Sequence, residues 1–137
     1  MTKMKFSGSC LCKAVAYEIE AIPKNFYFCH CEQCRKLTGS AHAANILTAP
    51  ATVRWVRGED QVKRYDAPAG RQFTHVFCRE CGSGLPFKNV SGNTLFIPAG
   101  SLDTDVDLEV TRNIFWAEAP NWTLSGLAAK NCPGFHE

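Results

Sequence analysis

Several features are absent from this sequence of 137 residues. No run of about 18 apolar residues occurs, so no helix is expected to span a membrane. The opening "MTKMKFSGSC" carries no apolar leader core, which leads us to expect a protein of the cytoplasm. Basic residues are scattered and build no arm or stripe, which argues against a nucleic-acid surface. The only glycine cluster of note, "GSGLPF", runs toward a strand instead of opening a helix, so it is no nucleotide-binding loop. No serine–histidine–acid grouping can be assembled, and no segment has linker or repeat character. A composition of 45% hydrophobic and 20% charged residues excludes a disordered or collagen-like chain. The length suits one domain over residues 1–137.

What the chain does have is strand signal. Alternation of period two marks "AVAYEI" (Val15, Tyr17, Ile19), "VRWV" (Val53, Trp55), "QVKRY" and "TLFIPAG". Turn chemistry separates these at Pro23, Pro50, "RGED", "APAG" at 67 to 70, "NVSGN" and "GSLDTD". Only "CEQCRKLT", residues 31 to 38, reads as a short helix, with Gly39 as its stop. The fold class is therefore all-β with one or two helical turns.

Eight cysteines are the chain's chemical signature. With no secretory leader in view they are expected to stay reduced, and clustered reduced thiols bind metal. A disulfide framework is disfavoured, because Cys10/Cys12 and Cys29/Cys31 are each one residue apart and such neighbours make poor bridges. Seven fall into three clusters: Cys10 and Cys12; Cys29, Cys31 and Cys34; Cys78 and Cys81. Cys132 is expected to be a small residue of the C-terminal tail.

The pair "CREC" followed by Gly82 is a metal knuckle that supplies two ligands and needs two more. Spacing alone offers Cys10/Cys12 or Cys31/Cys34 equally. The choice matters: if Cys10/Cys12 complete the knuckle, Cys29, Cys31 and Cys34 are left as a three-ligand site with a free place. Structural zinc is four-coordinate and closed, whereas catalytic zinc keeps three protein ligands and an open position.

"GSCLCKAVAYEI", "CHCEQCRKLTGS", "FCRECGSGLPF", "AGSLD" and "NIFWAEAPNW" together, in this order, resemble the glutathione-dependent formaldehyde-activating enzyme family, also called the centromere-protein-V domain family, which has the Mss4-like fold. The resemblance implies stacked small antiparallel sheets and two zinc ions per chain. Cys10, Cys12, Cys78 and Cys81 would hold a structural one, and Cys29, Cys31 and Cys34 a labile, catalytic one. It also implies a carbon–sulfur lyase type of activity on a small thiol adduct, the family's name-giving product being S-(hydroxymethyl)glutathione. A non-catalytic Mss4-like zinc module for a protein or other ligand is the alternative. Lys13 departs from the pattern, where the family often has glycine. Four thiolates around one Zn²⁺ and three around another would lower the formal charge of +2 by three, to −1.

Residues beside the triplet carry further expectations. Arg35 is the candidate contact for a substrate carboxylate, set against a solvated charge at the end of a turn. Ser40 and His42 stand where a hydrogen bond or a proton could be supplied, although a satisfied structural role is the commoner one for such a histidine. His30 is expected to turn away from the metal and lie exposed. Phe115, Trp116, Trp122 and Phe135 are expected to pack in the core rather than floor a ligand pocket.

Overall fold

The computed structural model describes residues 2–69 and 72–135; Gly70, the last residue of the "APAG" turn, lies outside them. Strands β1 (Met4–Ser9) and β2 (Ala16–Ala21) form an antiparallel hairpin, Met4 opposite Ala21 and Ser9 opposite Ala16. The alternation of "AVAYEI" is what fixes this register. Val15, Tyr17 and Ile19 fall on one face and are 0%, 1% and 2% exposed, while Glu18 and Glu20 face out. Each such buried side chain contributes roughly 1.5–3 kcal/mol.

Next come β3 (Pro23–Cys29), helix α1 (Glu32–Thr38) and β4 (Ala43–Thr48). Gly39 ends α1 in the left-handed region at φ 64°, its N–H donating to the Arg35 carbonyl, as the sequence led us to expect. β5 (Arg54–Arg57) pairs with β2, completing a three-stranded sheet of order β1-β2-β5. β6 (Val62–Asp66) and β7 (Thr74–Cys78) form a two-stranded ribbon. β8 (Phe87–Lys88), β9 (Leu95–Pro98) and β10 (Arg112–Ile114) join β3 and β4 in a five-stranded sheet of order β10-β3-β4-β9-β8. Helix α2 (Thr123–Ala128) follows.

The architecture is the all-β, small-sheet one expected, with one refinement: β10 runs parallel to β3, Ile114 opposite Cys29. Phe6, Val15, Tyr17, Ile19, Ile46 and Leu95 pack in one core between the sheets. "AGSLD" proves to be a clasp on that core. Ser101 and the Tyr17 hydroxyl lie 2.6 Å apart, Ser9 Oγ donates to Asp103 Oδ1 at 2.7 Å, and Asp103 N–H donates to the Ser7 carbonyl.

Two expectations are corrected. His30 is not exposed: it is 2% exposed, its Nε2 lies 2.9 Å from Asn113 Oδ1 on β10, and the Trp116 ring meets it edge-on at 4.8 Å. Nor do the C-terminal aromatics pack in the core. Phe115, Trp116, Trp122 and Phe135 are 45%, 45%, 54% and 95% exposed, in a stretch of which Thr123 alone is buried among the described residues.

Candidate functional site

Each cysteine cluster sits where a strand ends. The β1–β2 hairpin turns through Cys10–Val15, closed by Cys10 N–H to Val15 O and Lys13 N–H to Cys10 O. Ribbon strand β7 delivers Cys78 into the "CREC" turn, where Gly82 at φ 79° donates its N–H to the Cys78 carbonyl at 2.7 Å. The two turns face each other. Leu11 N–H donates to Ser83 Oγ, Cys10 and Cys12 sulfurs lie 3.6 Å apart, and Cys12 and Cys78 sulfurs 3.9 Å apart although 66 residues separate them in sequence. All four sulfurs of Cys10, Cys12, Cys78 and Cys81 lie within 4.8 Å of one another. A tetrahedron with metal–sulfur bonds of ~2.3 Å has edges of about 3.8 Å, so the donor set fits a four-coordinate ion.

The electrostatics agree. Cys81 is held down to about 5 by hydrogen bonding to the Ser83 hydroxyl first, then by backbone amides. Cys12 is pushed up to about 11: the Ala14 amide favours its thiolate, but desolvation and the sulfurs of Cys10, Cys81 and Cys78 outweigh that. Thiols this close cannot all ionise without a cation between them. In the same turn Lys13 occupies the left-handed region at φ 68°, where a side chain is strained and glycine is not.

The second cluster is local. β3 carries Cys29 at its end; Cys31 caps α1, its sulfur accepting from the Cys34 N–H at 3.3 Å. All three cysteines are buried, at 7%, 3% and 7% exposure, with Ala43, Phe73 and Ile114 packed against them. Their sulfurs also lie within 4.8 Å of one another. Among the described residues no histidine, aspartate, glutamate or further cysteine joins the group. His30 is engaged with Asn113, and Cys132 is exposed in the tail. Cys34 is pushed far above the ordinary thiol range by hydrogen bonding with Cys29, then by burial and the charges of Cys29 and Cys31. Ionising all three together would require a cation among them, and the donor set fits one.

Two cavities meet at this cluster. One, of about 350 Å³, is bordered by Cys29, Cys31 and Cys34; the other, of about 720 Å³, by Cys34 and Cys10. His42 borders the larger cavity, its ring stacked on Phe28 at 4.1 Å; burial first and then the nearby His30 hold its pKa below the usual histidine value. Arg35 lies beside a third cavity with Glu32, Gln33 and Glu118, its Nε buried without a hydrogen-bond partner. Ser40 is exposed, its N–H donating to Thr38 Oγ1, and it borders neither cavity at the triplet. Sequence reasoning passed over Lys13 as a site residue, yet Lys13 borders the larger cavity. Its charge and its neighbour Cys12 were the available signal.

Comparison with known proteins places these clusters in context. A Schizosaccharomyces pombe protein described as an uncharacterized lyase is 30% identical over 96 residues, spanning 69% of this chain and 66% of that protein. A crystal structure of a Rhodobacter sphaeroides protein superposes with a TM-score of 0.59 at 25% identity, over 80% of this chain and 100% of that one. The family described as glutathione-dependent formaldehyde-activating enzyme matches residues 5–118, a stretch that contains all seven clustered cysteines. By that match the chain belongs to the glutathione-dependent formaldehyde-activating enzyme family.

Proposed function

We propose that the chain carries two zinc ions and works as a carbon–sulfur lyase-type enzyme on a small thiol adduct such as S-(hydroxymethyl)glutathione. Cys10, Cys12, Cys78 and Cys81 hold the structural ion; Cys29, Cys31 and Cys34 hold the catalytic one. The observation that carries this reading is the second cluster: three buried thiols, no further cysteine, histidine or carboxylate joining them among the described residues, and two cavities that meet at Cys34. Cys29, Cys31 and Cys34 would hold the ion by three thiolates, and zinc bound there would supply a soft Lewis acid suited to a deprotonated thiol.

The chain's own residues do the rest. Lys13, on the border of the larger cavity, gives a substrate carboxylate a cationic partner. Arg35 offers a second donor from the neighbouring cavity, balanced there by Glu32 and Glu118. His42 stays neutral near pH 7 and can take the proton that a thiol gives up. The apolar packing of Phe73 and Ile114 against the cysteines keeps bulk water from the sulfurs.

The test is Cys31→Ser in the zinc-loaded chain. We expect one zinc per chain instead of two, a cooperative melt, and exchange of S-(hydroxymethyl)glutathione with its components reduced to the uncatalysed rate. Undiminished exchange in Cys31→Ser contradicts the reading. One observation favours the alternative, a zinc module that docks a protein: Leu124 and Leu127 of α2 are 65% and 76% exposed. A second zinc that resists competition by thiols, with no adduct turned over, supports that alternative.

A further inference from the structure

The two cavities that meet at Cys34 differ in chemistry. The larger is edged by ionisable groups, Lys13, His42, His75 and Asp103, and by hydroxyls such as those of Ser9 and Ser101. Among the described residues that line the smaller one there is no acidic, basic or histidine side chain. Its walls are apolar, formed chiefly by Leu47, Phe73, Phe87, Phe96, Ile114 and Phe115. Phe87 and Phe96 stack flat on each other, 3° from parallel with centroids 5.0 Å apart. Four primary amides, Gln33, Asn45, Gln72 and Asn89, give most of its remaining polarity. Amides orient a neutral group by hydrogen bonds but do not replace the hydration of a charge.

Size points the same way. Formaldehyde brings one carbon and one oxygen. At ~30 Å³ for a water-sized group, the cavity of about 350 Å³ has room for about a dozen such groups. A one-carbon fragment would leave most of that apolar wall wet.

We infer that the adduct handled here has two unlike halves: a charged thiol half in the larger cavity, and an uncharged apolar half in the smaller one, derived from an aromatic or branched aliphatic aldehyde. This rests on the lyase-type reading above and narrows its substrate. The chemistry balances without an oxidant. As the adduct forms, sulfur bonds to the carbonyl carbon, the carbonyl π bond breaks and its oxygen takes the thiol proton; in reverse, the carbon–sulfur bond breaks and aldehyde and thiol are returned.

The experiment uses the zinc-loaded full chain with glutathione as the fixed thiol. Exchange of its formaldehyde and benzaldehyde adducts is followed by NMR, each against the protein-free rate. We expect kcat/KM for the benzaldehyde adduct to exceed that for the formaldehyde adduct at least tenfold. Val90→Asp, which sets a carboxylate on an exposed position of the cavity's border, should cut that preference about tenfold. Independently of turnover, benzyl alcohol should shift the methyl resonances of Leu47 and Ile114, and benzoate should not. Equal or better use of formaldehyde, with no shift by benzyl alcohol, overturns the inference and leaves the lyase reading standing. Acceleration of neither adduct, with the benzyl alcohol shifts present, overturns the lyase reading itself.

Discussion

The two cysteine clusters grow from the same kind of segment, a strand running into a cysteine turn, yet they differ in reach. Cys10 and Cys12 meet Cys78 and Cys81 across 66 residues of chain, whereas Cys29, Cys31 and Cys34 come from one strand end and the first turn of one helix. Chain entropy separates their effects. By the argument used for cross-links, tying a loop of 66 residues is worth about 4 kcal/mol, and tying one of six residues about 2 kcal/mol. An ion held by the first cluster would therefore staple the hairpin to the ribbon. An ion held by the second would add less to the fold, and the site we propose there keeps a place open beside a cavity. On the function proposed above, distance along the chain would then sort a structural metal site from a reactive one.

The sharpest way to break this comparison is to remove one ligand from each cluster. Cys78→Ser, at a fully buried position, should abolish cooperative folding, since structural zinc contributes roughly 10 kcal/mol in small domains and total stability is of order 5–15 kcal/mol. A soluble Cys78→Ser chain with a sharp melt by differential scanning calorimetry would contradict the staple. Cys29→Ser, at the strand end, should lower Tm by only a few degrees, in line with the smaller of the two loop terms, while reducing zinc content to one per chain.

A smaller effect concerns pH. Burial holds His75 on β7 below the ordinary histidine pKa, and its ring stacks on Phe77 at 4.9 Å. The unfolded imidazole takes its proton near pH ~6.5, above the folded one. In that window the unfolded state binds more protons, so this contribution is intact above about pH 6.5 and is lost as pH falls through the lower folded value. His75→Phe should therefore lose less stability than the unaltered chain between pH 7.5 and pH 5.5, measured by urea unfolding with zinc present. An equal loss in both would place the acid sensitivity elsewhere.

The smallest effect sharpens the first cluster alone. Lys13→Gly relieves the positive φ and should raise stability by about 1 kcal/mol, a few degrees in Tm. In the same variant KM for a glutathione adduct should rise, because Lys13 is the cation we assign to its carboxylate. An unchanged KM would remove Lys13 from the binding site.

Sequence alone carried the strands and the knuckle a long way. Val15, Tyr17 and Ile19 announced a buried face because a strand turns every second side chain the same way, and Gly39 and Gly82 marked turns that need positive φ. The grouping of Cys10 with Cys78 was open on spacing and came only with the family resemblance. His30 was misread, because nothing in "CHC" tells that Asn113 and Trp116, more than 80 residues on, close over it. Trp122 and Phe135 were misread for the opposite reason: hydrophobicity states what a side chain favours, not whether a surface is there to cover it. The smaller cavity was illegible, since its walls draw on β3, β4, β8, β9 and β10 at once.

The most direct test of the contrast between a closed and an open site is a crystal structure of the zinc-loaded chain with no added thiol, read for the ligands of the ion among Cys29, Cys31 and Cys34. We expect three protein sulfurs and a solvent molecule on that ion, beside four protein sulfurs on the ion at Cys10, Cys12, Cys78 and Cys81. A fourth protein atom on the second ion would contradict it.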